Sequence, residues 1–319
     1  MVTIDLITGF LGSGKTTFLK KYAEYLMDQG LHIGILENDF GAINVDMLML
    51  HELRGDQCEL EMIAGGCDAE SHRRRFRTKL ISMRMCGYDR VLVEPSGIYD
   101  VDEFFDVLRE EPLDQWYEIG NVIAILDARL EDPLSEQADY LLASEAANAG
   151  KVILSHADAA TRKQCEDTVA HLNRALEEIR CDRRIDSEKD ILQTDLTDLT
   201  KEALEEVSKC GYRLESYRKM DLENGQSFDS LFFMEEKITS EALERAVPRL
   251  FADQSCGEVF RIKGFVKNKD GQWMELNATH DSRTLEPIAV GQEVLIVIGE
   301  HLQEDKIREI LKEEETCQS

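Results

Sequence analysis

The segment Gly9-Phe10-Leu11-Gly12-Ser13-Gly14-Lys15-Thr16-Thr17 follows directly on an apolar run at residues 2–7. Glycines at 12 and 14 let backbone N–H groups crowd around a phosphate chain, and Ser13 and Thr17 complete the phosphate-contacting set. Lys15 offers a positive charge to β- and γ-phosphates, and Thr16 offers a hydroxyl to Mg²⁺. A helix expected over residues 15–29, with Phe18, Leu19, Tyr22 and Leu26 at helical spacing, adds the positive end of its dipole. The alternative is a glycine-rich turn that merely joins a strand to a helix. The strand–loop–helix context favours a nucleoside triphosphate site.

Carboxylates recur at the ends of later strand-like runs. Glu37-Asn38-Asp39-Phe40-Gly41 follows the second run, where a switch loop belongs, and its carboxylates reach Mg²⁺ or a second metal. Glu94-Pro95-Ser96-Gly97 ends the third: Glu94 holds the Mg²⁺ shell directly or through water, and the Gly97 N–H faces a γ-phosphate. Ser155-His156-Ala157-Asp158 ends a later run, where Asp158 can accept from two donors of a guanine. Singly, each is weak, because an acidic residue at a strand end also serves as a helix N-cap. In this order they reinforce one another. The expected catalytic set is Lys15, Glu94 and Gly97, with Thr16, Asp39 and Glu94 around Mg²⁺.

Strands are expected at residues 2–7, 32–37, 90–94, 121–127 and 151–154, all short β-branched or apolar runs of the kind buried on both faces of a parallel sheet. Helices are expected at 15–29, 71–85, 102–109, 135–148 and 159–180. This alternation predicts a doubly wound, mostly parallel α/β sheet of the P-loop type over residues 1–215, with the ligand at the carboxyl ends of the strands. The polar stretch 195–224 reads as closing helices and a linker. Residues 225–319 change rhythm: strands at 227–234, 258–266, 272–277 and 293–298, helices at 240–251 (Ser240 as N-cap) and 304–312, and an Asp270-Gly271 hairpin turn. That pattern predicts a small α+β domain. Arg261 and Lys263, alternating with Ile262, are expected to face outward.

The chain of 319 residues is long enough for roughly two domains. Sixty-four acidic against 37 basic residues give a net charge of −27, which repels phosphate backbones and argues against a nucleic-acid partner. The exception, Arg73-Arg74-Arg75-Phe76-Arg77, either docks an acidic client or is a solvated helix face; charge runs usually are the latter. A strand starting at the second residue leaves no room for an export signal, and no apolar run is long enough to cross a membrane. The eight cysteines follow no framework spacing and read as reduced thiols, which points to the cytoplasm. Oligomerisation is left open.

Residues 9–17, 37–41, 94–97, the Gly65-Gly66-Cys67 segment and Arg261-Ile262-Lys263-Gly264-Phe265 together resemble the CobW-type P-loop GTPases, a family of metallochaperones and nitrile hydratase activator-like proteins related to the metal-insertion GTPases of hydrogenase and urease maturation. The resemblance covers nearly the whole chain. It implies a slow, Mg²⁺-dependent GTPase that handles a transition metal for a metal- or cofactor-dependent client enzyme. Two departures stand out. The family's Cys-x-Cys-Cys is Cys67-Asp68-Ala69-Glu70 here, so a site built from Glu37, Cys67 and Glu70, with Asp68 or His72 as further donors, is oxygen-rich and suits Co²⁺, Mn²⁺ or Fe²⁺ as well as Zn²⁺. Alternatively Cys67 is a buried thiol, and the chain is a nucleotide-gated adaptor that carries no metal. The family's Asn-Lys-x-Asp is Ser155-His156-Ala157-Asp158. Ser155 loses the brace, His156 stacks on the base, and Asp158 keeps GTP favoured over ATP, unless it caps a helix starting at 159. A kinase-type phosphotransferase is disfavoured, since no Arg-rich lid segment is evident.

Overall fold

The computed structural model describes residues 1–10, 12–39, 49–64, 69–96, 101–130, 132–219, 229–234, 238–280, 283–288, 291 and 293–316. Residues 1–220 and 221–319 form separate compact units.

In the first unit, both faces of β1 (Val2–Thr8) are covered, so Ile4, Leu6 and Ile7 are fully enclosed, and the buried Asp5 among them is held by Arg90 at 2.9 Å. It lies between β4 (Arg90–Pro95) and β5 (Tyr117–Asp127), parallel to both. With β2 (Ile33–Asp39), β3 (Cys58–Ala64), β6 (Lys151–Ser155) and β7 (Ile191–Gln193) they make a seven-stranded sheet in the order β3-β2-β4-β1-β5-β6-β7. Every pairing in it is parallel among the described residues. The connecting helices are α1 (Lys15–Asp28), α2 (Ala69–Arg84), α3 (Val101–Leu108), α4 (Leu113–Trp116), α5 (Glu136–Ala147), α6 (Arg162–Glu178) and α7 (Lys201–Val207). This is the doubly wound P-loop arrangement expected, and the chain after β1 emerges where crossovers leave to either side, the point at which such sheets hold ligands.

Phe18, Leu19, Tyr22, Ala23 and Leu26 of α1 pack on Ile33 and Ile35 of β2. The same core takes in Leu196, Leu204 and Val207, so the stretch read as closing helices and linker also supplies core side chains beneath α1. Two strands are not apparent in the sequence. β3 alternates Glu59 and Glu61 with apolar residues because it is the sheet's edge, and its carboxylates pair with Tyr88 and Lys79 at 2.7 and 2.8 Å. β7 has only three residues. Helix α6 begins at Arg162 rather than 159: Thr161 accepts from Gln164 N, and the Gln164 side chain accepts from Thr161 N, a reciprocal capping box.

In the second unit, β8 (Asp229–Met234), β9 (Glu258–Lys267), β10 (Trp273–Ala278), β11 (Arg283–Pro287) and β12 (Val294–Glu300) form a sheet of order β11-β10-β9-β12-β8 with antiparallel pairing. Helices α8 (Ser240–Ala252) and α9 (Glu304–Thr316) bury Leu243, Val247, Leu250, Ile307 and Leu311 with Ile262 and Val297 of the sheet. Three details differ from expectation, the first being the exposed edge strand β11, which has no apolar run to mark it. Thr239, not Ser240, caps α8 by accepting from Ala242 N, while Ser240 is buried in the first turn. Lys263 is buried rather than outward-facing, because β9 is the middle strand with β10 and β12 on both sides.

Candidate nucleotide site

β1 delivers the chain to Gly9 at φ 146°, where an added Cβ would meet the Ile125 carbonyl oxygen at 2.1 Å. Gly14, at φ 92°, is the N-cap of α1 and offers no side-chain hydrogen bond to it, which leaves the first-turn N–H groups for an anion. Ser13 is buried, and its hydroxyl has no hydrogen-bond partner among the described residues. Buried polar groups of this kind are normally satisfied, so the orphaned hydroxyl fits a site completed by a ligand. Lys15 curls back over the loop: its Nζ donates to the carbonyls of Gly9 at 2.7 Å and Phe10 at 3.4 Å. Gly12 (φ 80°) and the partly buried Thr17 flank this curl.

Thr16 Oγ1 donates to Glu94 Oε1 at 2.8 Å, joining the start of α1 to the end of β4. Parallel register places Glu37 opposite Glu94, and both carboxylates are buried, 3% and 4% exposed. Thr16 and Glu94 thus meet as hard oxygen donors suited to Mg²⁺, with Glu37 on the neighbouring strand at the same register. Asp39 ends β2 with its side chain outside the described residues, as are Gly97, Cys67 and Asp68. Glu70 does not join this group. It is turned to solvent in the first turn of α2 and pairs with Arg74 at 3.1 Å. His72 is buried, with Nδ1 3.3 Å from Glu103. Among the described residues no three His, Cys, Asp or Glu side chains converge as a metal site.

At the end of β6, Ser155 is buried and its hydroxyl donates to the Leu126 carbonyl at 3.1 Å. His156 sits in the left-handed region at φ 52°, with Nδ1 2.9 Å from Asp127 Oδ2. Burial raises the Asp127 pKa, but hydrogen bonds from His156 and Arg129 outweigh it and hold the carboxyl down to about 2. An ionised Asp127 only accepts, so His156 carries its proton on Nδ1. Asp158 is exposed and caps nothing, since α6 starts beyond it with its own Thr161 cap. The helix-cap alternative for Asp158 is thereby removed.

The arginine run is largely engaged internally. Arg73 and Arg77 both bind Glu110, at 2.6 and 3.0 Å, and Arg77 also donates to the Glu111 carbonyl. One polar residue beside the loop, Glu145 of α5, was invisible in the sequence because nothing in a helix of alanines and leucines marks a buried carboxyl.

Residues 3–185 match the CobW/HypB/UreG nucleotide-binding domain, and residues 230–314 match the cobalamin synthesis protein cobW C-terminal domain. The zinc chaperone YjiA of Escherichia coli K12 is 29% identical over 185 residues, covering 54% of this chain and 55% of that protein. The zinc chaperone YeiR of the same organism is 31% identical over 131 residues, covering 41% and 39%. The zinc-regulated GTPase metalloprotein activator 1 of Dictyostelium discoideum is 22% identical over 238 residues, covering 62% and 49%. The matches thus span about half, or less, of these relatives' own lengths. With more than half of its length inside the nucleotide-binding domain, and with the loop, Thr16–Glu94 link and parallel sheet described above, the chain belongs to the CobW/HypB/UreG family.

Proposed function

We propose that this chain binds GTP and hydrolyses it slowly with Mg²⁺, and that this cycle gates the delivery of a transition metal, Zn²⁺ or Co²⁺, to a client metal- or cofactor-dependent enzyme in the cytoplasm. The observation that carries the nucleotide reading is the 2.8 Å contact between Thr16 and Glu94, with Lys15 on the adjoining loop. When nucleotide binds, Lys15 leaves the loop carbonyls for the terminal phosphates. Thr16 and Glu94, with Asp39 as a further oxygen donor, hold the metal shell, and the Gly97 N–H faces the γ-phosphate. Bound Mg²⁺ supplies charge neutralisation on the phosphates. Asp158 reads guanine, while His156 is oriented by Asp127 beside it.

The cargo metal is assigned to Glu37 and Cys67, with Glu70 able to join only by leaving Arg74. Other thiols are poor candidates: burial pushes Cys58 up to about 11 and Cys210 up to about 12, so neither is a thiolate at neutral pH. The outward Glu70 favours a second reading, a GTP-gated adaptor that carries no metal.

Lys15→Ala tests the first part. Loss of a charge-assisted contact worth about 1.5–3 kcal/mol weakens Mg²⁺–GTP binding by roughly ten- to a hundredfold. Unchanged binding of a fluorescent GTP analogue sinks the nucleotide assignment. Zn²⁺ and Co²⁺ titration in the GTP and GDP states separates the two cargo readings: metal uptake that differs between states supports the chaperone, and none supports the adaptor.

A further inference from the structure

Glu145 lies in the last turn of α5 and is fully buried. Its carboxyl group faces β1 and the phosphate loop: the Thr8 hydroxyl and the Gly9 N–H lie beside it, and the Lys15 ammonium acts on it from the start of α1. Neither carboxyl oxygen completes a well-formed hydrogen bond among the described residues, and neither does the Thr8 hydroxyl. On the other side of the same glycine, Lys15 Nζ donates to the Gly9 carbonyl at 2.7 Å. Gly9 therefore stands between the acid and the amine.

A carboxylate in this position has lost its water without gaining full compensation, so the neutral acid is favoured. Burial pushes its pKa up to about 8, opposed by Lys15, Thr8 and Gly9. Lys15 supplies the one charge that acts on it among the described residues. Helix α6, packed along α5, brings His171 to Asp139 at 2.6 Å, and neither group shifts Glu145.

We propose that Glu145 is a positioning residue for Lys15: held as the neutral acid beside Gly9, it supports the entry to the phosphate loop without competing for the ammonium, so nucleotide binds together with the Glu145 proton. The inference rests on the nucleotide reading above. Phosphates that engage Lys15 withdraw the one cation favouring the anion and bring negative charge nearby, and both effects strengthen proton binding at Glu145. By reciprocity, losing that proton weakens nucleotide binding. An anionic Glu145 draws Lys15 toward itself and away from the phosphates.

The test measures Kd for a fluorescent GTP analogue with Mg²⁺ from pH 6.5 to 9 in the wild type and in Glu145→Gln, which keeps the shape and removes the titration. Wild-type affinity is expected to fall roughly tenfold between pH 7 and pH 9, the factor set by a proton retained in the complex and released from the free protein. The glutamine variant shows only the nucleotide's own shallow dependence. Calorimetric titration of the wild type at pH 8, in buffers of different ionisation heat, gives fractional proton uptake on binding and needs no variant. Coincident pH profiles, or no proton uptake by the wild type, overturn the proposal. A wild type that binds no nucleotide at any pH overturns the nucleotide reading along with it.

Discussion

At the scale of single residues, the segment after β6 is built on a partly buried electrostatic pairing. Asp127 accepts from His156 and from Arg129, whose guanidinium lies 3.0 Å away, and it stays ionised although half-buried. Its pKa falls from 3.8 to about 2 on folding, so the folded state binds this proton less tightly than the unfolded one. Its contribution to stability is therefore fully present above pH 4 and is lost as pH falls toward 2. Asp127→Asn should lower the thermal midpoint at pH 7 and lose most of that effect by pH 2.5, as followed by circular dichroism melts across pH. A penalty equally large at both ends of the range would show that packing, not charge, holds His156. The Ser155 hydroxyl donates to the Leu126 carbonyl and fastens the end of β6 to β5.

At the scale of elements, legibility followed exposure to solvent. β1, β4, β5 and β6 were readable because strands buried on both faces are nearly continuous apolar runs. The edge strand β3 was not, since Glu59 and Glu61 break its apolar pattern where water and surface partners accept them. The loop motif exposed Lys15 and Thr16 at once, and strand order brought Glu94 to Thr16. The register that sets Glu37 beside Glu94, however, is a pairing between distant segments that no local pattern encodes. Glu145 left no trace for the same reason: its burial comes from tertiary packing, not from its helix. Caps are local, yet Asp158 and Thr161 are both plausible caps by composition. The deciding feature is Gln164, which completes the box only with Thr161. Thr161→Ala should cost about 1 kcal/mol of stability, measured by urea unfolding, and a variant that unfolds at the wild-type midpoint would refute the cap.

At the scale of the molecule, each unit closes its own core, one around α1 and β2, the other around α8, α9 and the antiparallel sheet. The first unit extends past the residue-215 boundary expected from composition. Tyr217 donates to Asp102 of α3 at 2.9 Å, Lys219 pairs with the same carboxylate at 2.9 Å, and the Arg218 N–H donates to the Ile179 carbonyl at 2.7 Å. A fragment ending at 220 should therefore be more stable than one ending at 215, by more than an exposed ion pair alone supplies, which is about 0–1 kcal/mol. Equal urea midpoints for the two fragments would place the functional boundary at 215 after all. Among the described residues no helix is long and apolar enough to cross a membrane, and the net charge of −27 leaves the arginines of α2 as a local exception, mostly engaged with Glu110 and Glu70.

The capping of α6 by Thr161 and Gln164 has a consequence for the residues just before it in this chain. A residue that both reads a base and starts a helix is under two selections at once, and drift at one task is checked by the other. Here the cap sits three positions beyond Asp158, which is exposed and owes nothing to the helix that follows. A substitution at 158 is therefore expected to leave the α6 cap intact, whereas one at 161 removes it. Ser155 and His156 are not free in this way, since Ser155 ties the end of β6 to Leu126 and His156 is held by Asp127.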